Sequence, residues 1–92
     1  MKTIKDWAPE DRPRERLLAN GAETLSKAEL LAILIGSGVQ GKSAVEVMRT
    51  ILSDYEDNLM LLSRASVQEL MRYEGIGEAK AVTIVAACQL AN

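Results

Sequence analysis

Histidine and phenylalanine are absent from this 92-residue chain, and Cys88 is its only cysteine. A Ser-His-Asp triad and a Cys-His pair are therefore excluded. One cysteine cannot form an internal disulfide, and a zinc site would need this thiolate plus scattered carboxylates. The sequence thus predicts a chain that is not an enzyme and that holds no cofactor or metal of its own.

Long apolar runs and a strong charge of either sign are also missing. No run approaches the ~20 residues that span a bilayer, and no apolar signal core begins the chain. We therefore expect a cytoplasmic protein without a membrane partner. The net charge is −2, whereas phosphate contacts require a concentrated positive field. Any DNA binding by this chain should be weak and sensitive to salt.

Apolar residues make up 48% of the chain, which is the composition of a folded domain. With so few aromatic residues, the core must be built from aliphatic side chains and methionine, which favours packed helices. We expect a single all-α domain over residues 1–92, with about five short helices in a tandem helix-hairpin-helix-like bundle. Residues 1–11 would form an N-terminal arm, residues 12–54 a first helix-turn-helix unit, and residues 59–92 a helix-hairpin-helix unit.

Local signals predict where the helices begin. Capping-box sequences start at Ser26 and Ser66. An apolar stripe of helical period runs from about residue 43 to residue 54. The helix after Ser66 is predicted to run to about Tyr73, and a largely apolar final helix begins at Glu78 and should lie centrally.

The two units share a repeated pattern. Residues 26–31 and 66–71 both read Ser-x-x-Glu-Leu followed by Leu or Met, forty positions apart. Gly36 and Gly38 match Gly75 and Gly77, thirty-nine positions apart. A tandem duplication explains the nearly constant offset. The alternative is that capping boxes and glycine stops recur by chance.

Residues 70–82 resemble a helix-hairpin-helix motif, with a Gly-hydrophobic-Gly turn and Ala81 four residues later. The glycines allow positive φ and close backbone approach, while Ile76 should point inward. The turn would leave backbone N–H groups unpaired at the positive end of the final helix, which suits a DNA phosphate. We expect Gly75, Ile76, Gly77 and Lys80 to form this phosphate site, which would position DNA without reading its sequence.

The same turn also has a purely structural interpretation, as a tight connection between two helices. Glu74 and Glu78 flank it. Their carboxylates would repel phosphate and compete for the same N–H groups. The sequence leaves both interpretations open.

Residues 36–43 satisfy the pattern G-x-x-x-x-G-K-[ST], which is typical of phosphate-cradling P-loops. A P-loop follows a buried strand, however, whereas this segment follows a predicted helix, and no strand supplies a magnesium-binding Asp. We therefore expect no nucleotide hydrolysis. The turn would instead offer a possible second phosphate site equivalent to the hairpin, formed by Gly36, Gly38, Lys42 and Ser43.

Four blocks in order, at residues 13–18, 25–34, 41–43 and 75–81, together resemble the N-terminal domain of the bacterial RadC family of DNA repair-associated proteins. The resemblance implies a helix-hairpin-helix module followed by a zinc metalloprotease domain of the JAMM (MPN) type, whose metal ligands include histidines. Since this chain has no histidine, that domain would lie outside it. The final helix also lacks a glycine or proline stop, which predicts a longer protein.

Two functions of different classes follow. The leading hypothesis is a non-catalytic DNA-binding module that contacts the DNA backbone and recruits the JAMM-type domain of the same full-length chain. The alternative is a protein-interaction or regulatory domain for that hydrolase domain. Salt dependence distinguishes them, because DNA binding should weaken steeply as salt rises while docking through an apolar face should not.

Overall fold

The computed structural model describes residues 12–39 and 41–91, and it confirms the all-α prediction, since these residues form no strand. The predicted arm over residues 1–11 lies outside the described residues. The helices are α1 (Pro13–Asn20), α2 (Lys27–Ile35), α3 (Ala44–Asp54), α4 (Leu59–Ser63), α5 (Val67–Leu70) and α6 (Glu78–Leu90), with a 3₁₀ turn at Ala22–Thr24. No helix in the described part of the chain is long and apolar enough to cross a membrane.

Serine capping boxes begin three of the helices. Ser26, Ser43 and Ser66 each accept a hydrogen bond from the amide of the glutamate three residues later, whose carboxylate accepts from the serine amide. The boxes at Ser26 and Ser66 confirm the sequence prediction, and the third lies inside the P-loop-like pattern. An N-cap contributes about 1 kcal/mol, so these boxes fix where the three helices start.

The first capping box also carries the tertiary link to α1. Arg16 forms an ion pair with Glu29 and donates to the carbonyl oxygen of Thr24 at 3.0 Å. Burial pushes the pKa of Glu29 upward, but its hydrogen bonds with Ser26 and the charge of Arg16 outweigh burial and hold that pKa below its usual value. The short helix α1 is thereby attached to the start of α2.

The core takes most of its buried side chains from α2, α3 and α6. Helix α3 buries an apolar stripe with the predicted period, and α6 contacts α2, α4 and α5. The central position predicted for the last helix is therefore confirmed. Only one face of α6 is buried, through Ala81, Ile84 and Cys88, whereas Leu90 is 88% exposed.

The helix after Ser66 is shorter than the sequence predicted. It ends at Leu70, and residues 71–77 form a series of turns instead. The amide of Tyr73 donates to the carbonyl of Leu70, and the amide of Ile76 donates to the carbonyl of Tyr73, both at 3.1 Å. The prediction was wrong because Leu70, Tyr73 and Ile76 recur every three residues, a spacing that tight turns and α-helices share.

The side chain of Tyr73 ties this run of turns to the end of α3. Its hydroxyl donates to Oδ2 of Asp54 at 2.6 Å. Burial, together with the hydrogen bond to the Asp54 carboxylate and its charge, raises the pKa of Tyr73 to about 12. The protonated phenol is thus the form that the fold favours.

This bond predicts a pH dependence at high pH. Because the pKa of Tyr73 rises on folding from 10.0 to about 12, its contribution to stability is fully present below pH 10. It should be lost as pH rises toward 12. The change Tyr73→Phe should lower the free energy of unfolding by about 1 kcal/mol at pH 8, and the difference from the wild type should vanish near pH 12. Urea unfolding across this range measures it, and a pH-independent difference would contradict it.

Candidate nucleic-acid interface

The turn that precedes α6 contains Gly75, Ile76 and Gly77. Gly75 has φ of 88°, and the side chain of Ile76 points inward with 4% exposure. Gly77 has φ of −89° and ψ of −174°, an extended conformation open to any residue, and serves as the N-cap of α6. The expectation of positive φ therefore holds for Gly75 and is wrong for Gly77.

The first turn of α6 presents backbone N–H groups that have no acceptor among the described residues. No carbonyl or side chain there accepts a bond from the amides of Glu78, Ala79 or Lys80, and the helical bonds begin at the amide of Ala81. In α2, α3 and α5 a serine hydroxyl accepts the third of these amides. Gly77 offers no such group, so the positive end of the α6 dipole faces outward uncapped.

No feature of the fold requires glycine at position 77. A Cβ atom there would meet no atom within 4 Å, and the backbone is unstrained. Serine, threonine, aspartate or asparagine would cap the helix. The effect of glycine is to leave the helix end free of a side chain, so that an anion can reach the amides.

The charges around this helix end are mixed. Glu74 and Glu78 are exposed beside it, as the sequence predicted. The ammonium group of Lys80 lies on the preceding unit, where it donates to the carbonyl oxygen of Ser37 at 2.7 Å and to its hydroxyl at 3.1 Å. The Lys80 side chain thus joins the start of α6 to the loop that follows α2, while its contact with phosphate stays a prediction.

We call residues 36–39 and 41–43 the first turn and residues 71–77 the second turn; Val39 of the first turn packs against Gly75 of the second. A Cβ atom on Gly75 would lie 2.2 Å from Cγ1 of Val39. Together with the bonds from Lys80 to Ser37, this contact joins the matching parts of the repeat. Ser37 occupies the position in the first copy of the repeat that Ile76 occupies in the second copy. This polar residue at the position of an apolar one is the sequence signal that could have predicted the bonds from Lys80 to Ser37.

The bonds from Lys80 of α6 to Ser37 of the first turn predict that a variant without them is less stable. Replacing Lys80 with Met keeps the aliphatic stem and removes both bonds to Ser37. We expect the free energy of unfolding to fall by about 1 kcal/mol. Lys42→Met is the matched control, because Lys42 is exposed, and its effect should stay within about 0.5 kcal/mol. Urea unfolding of both variants measures this difference. Equal stabilities would mean that the bonds from Lys80 to Ser37 do not stabilise the fold.

The first turn does not have the geometry of a P-loop. It follows helix α2, as expected, and Val39 and Lys42 exchange two backbone hydrogen bonds at 3.1 and 3.0 Å. Ser43 is 2% exposed, and its hydroxyl caps α3. A Cβ atom on Gly38 would lie 2.2 Å from the Lys42 carbonyl oxygen, and Gly36 ends α2 with φ of 82°. Of the four residues predicted as a second phosphate site, only Lys42 carries an exposed side chain.

Comparison with known proteins identifies the family. Residues 4–82 match the family described as UPF0758 N-terminal. The UPF0758 protein of Flavobacterium johnsoniae is 54% identical over 87 residues, which cover 95% of this chain and 38% of the relative. The UPF0758 protein of Rubrobacter xylanophilus is 53% identical over 90 residues, or 98% of this chain and 39% of the relative. The chain thus spans about two fifths of the length of these curated relatives.

No solved structure gives a significant match to the chain. The family assignment therefore rests on the sequence matches, which cover 79 of the 92 residues (positions 4 to 82) for the family and nearly all of the chain for the relatives. The family predicted from the resemblance to RadC proteins is confirmed by these matches. The chain belongs to the UPF0758 N-terminal, RadC-like family.

Proposed function

We propose that this chain is a non-catalytic DNA-binding module, a helix-hairpin-helix whose contact with DNA is the N-terminus of α6. The observation that carries the proposal is the uncapped helix end, where the amides of residues 78–80 have no acceptor among the described residues and Gly77 leaves the approach open. Backbone amides at the positive end of a helix bind phosphate oxygens. In the full-length protein this contact would recruit a JAMM-type domain to DNA in a repair-associated role.

The electrostatics set the strength of this contact. One helix end neutralises about one phosphate, so the affinity should fall with salt with a slope of about −1 in logarithmic terms. This dependence is weaker than the steep one expected from the sequence. The net charge of −2 and the exposed Glu74 and Glu78 oppose binding. The module therefore binds weakly and without sequence preference, and serves as one contact among several in the full-length protein.

The change Gly77→Asp separates binding from folding. Aspartate is a good N-cap, and its Cβ atom meets nothing within 4 Å, so the fold should be kept or stabilised. Its carboxylate would occupy the free amides and repel phosphate. With a short DNA duplex at low salt, we expect wild-type amide shifts in NMR spectra to centre on residues 75–81. Gly77→Asp should bind on the order of ten-fold more weakly.

Ser66→Asp is the matched control, because it adds the same charge at the N-cap of α5, where the residue is also exposed. Its affinity should stay within about two-fold of the wild type, since rim charges act mainly through screened, long-range effects. Unchanged DNA affinity in folded Gly77→Asp would refute the phosphate site. Absence of wild-type shifts at millimolar DNA would refute DNA binding by this chain.

A further inference from the structure

An apolar groove lies between α2, α4 and the end of α6, on a surface that the proposed DNA contact does not use. Its lining includes Leu30 and Leu34 of α2, Leu59 of α4, and Ala87 and Ala91 at the end of α6, and its volume is about 160 Å³. We refer to this feature as the apolar groove.

The groove carries almost no charge. Lys27 is the one charged residue among the described residues that line it. Its ammonium group is drawn away, since it donates to the carbonyl oxygen of Asp57 at 2.7 Å and lies 3.4 Å from the Asp57 carboxylate. A metal ion, an anion or a DNA phosphate would find no partner inside the groove.

The size of the groove restricts its occupant further. Pockets for small-molecule ligands measure roughly 300–1,000 Å³, about twice this volume or more. A dry apolar cavity of about 150 Å³ holds one benzene-sized group. The occupant that fits is one large apolar side chain of a protein segment.

One of the leucines that line the groove is largely exposed. Leu34 of α2 lies in the lining and is 55% exposed. A single exposed leucine is ordinary, whereas one that lines an apolar groove is typical of an interaction surface.

We propose that in full-length members of this family the chain that follows α6 folds back on the apolar groove and inserts one large apolar side chain into it. The matched family is described as N-terminal, and the matched segment covers only 38% and 39% of the lengths of the two relatives, so the rest of those proteins follows it. The last turn of α6 itself lines the groove, so a segment that follows it in those proteins starts beside the groove. Such a tether gives the segment a millimolar effective concentration.

The area that the groove offers argues for a tethered occupant. A stable contact between separate molecules buries about 1,000 Å² or more, whereas this groove accepts a single side chain. A second copy of the chain would have to bring a far larger interface with it. A tethered segment needs only enough contact to offset the cost of closing a short loop.

Thiol labelling of Leu34→Cys tests the proposal in a full-length protein. The comparison is between the 92-residue chain and a chimaera that joins it to the remainder of the F. johnsoniae relative. We expect maleimide labelling at position 34 to be about ten-fold slower in the chimaera, the slowing produced by a docked state populated about 90% of the time. Gln68→Cys is the matched control; Gln68 is exposed and outside the groove, and it should label equally in both proteins.

The native Cys88 reports whether each protein is folded. It is 1% exposed, and burial raises the pKa of its thiol, so it should resist labelling in a folded protein. If the chimaera labels at Cys88, the remainder is added as a separate polypeptide to the ¹⁵N-labelled chain. Amide shifts at the groove would then support the proposal, and their absence at about 1 mM, near the effective concentration of a tether, would overturn it.

Three other results would also overturn the proposal. Equal labelling of Leu34→Cys in the chain and a folded chimaera would mean that the groove stays open. Protection in the isolated chain that grows with protein concentration would assign the groove to a second copy. If Leu34→Cys in the isolated chain labels more slowly than Gln68→Cys at every protein concentration, the groove is covered by a segment within residues 1–92. None of these outcomes bears on the DNA contact at α6, which the labelling does not involve.

Discussion

The change Gly75→Ala should destabilise the domain by about 2–4 kcal/mol. Gly75 has φ of 88°, where a side chain costs on the order of 1–2 kcal/mol in strain. A Cβ atom there would also lie 2.2 Å from Cγ1 of Val39, so the two turns would have to separate or Val39 would have to leave its position. Urea unfolding followed by circular dichroism measures the loss.

Two further variants separate strain from collision. Gly36→Ala meets a similar φ of 82°, but its Cβ atom would contact nothing within 4 Å. It should therefore lose only about 1–2 kcal/mol. Val39→Ala in the Gly75→Ala background should recover part of the loss, with a coupling energy of about 1 kcal/mol in a double-mutant cycle. Equal losses at positions 36 and 75 and no coupling to Val39 would show that the turns do not press on each other.

The starts of the helices could be predicted from the sequence because capping is local chemistry. Ser26 and Ser66 cap their helices with atoms that lie within four residues, so a short pattern contains the whole interaction. Glu78 was found as the first residue of α6 for a similar reason, since the glycine turn before it stops the preceding segment. The end of α5 at Leu70 depends on packing and was missed.

The candidate site was located by its pattern, but its chemistry depends on tertiary structure. The sequence could not distinguish Gly75 from Gly77, because the collision that requires glycine at position 75 comes from Val39, thirty-six positions away. It could not assign Lys80 to Ser37 either, since that bond forms only when the two turns meet. The structure does not require glycine at position 77, and a motif match cannot show this.

The apolar groove illustrates a different limit. Leu30 and Leu34 lie in an apolar run of α2 that reads as core, and Leu34 is nevertheless 55% exposed. Hydrophobic periodicity identifies a face that favours burial, but it does not tell which protein segment covers that face. The exposure of Leu34 in the folded domain shows that the described residues leave this face open.

The change Leu70→Ala should cost about 3–5 kcal/mol, a large part of the 5–15 kcal/mol that stabilises a typical domain. Leu70 is fully buried and is the one buried residue of α5, which contacts α6. Its loss leaves a cavity and releases both α5 and the second turn from the core. Urea unfolding should show the loss, and hydrogen exchange should show faster opening of residues 66–77 than of α3.

Met71→Ala is the matched control, because Met71 is the next residue and is 44% exposed. Its effect should stay below about 1 kcal/mol. The two variants also test whether the proposed DNA contact depends on the core, because α6 begins directly after the turns that follow Leu70. A Leu70→Ala protein that is still folded should therefore lose DNA-induced shifts at residues 75–81, while Met71→Ala keeps them. Retention of these shifts in Leu70→Ala would mean that α6 is sufficient for the contact without an ordered second turn.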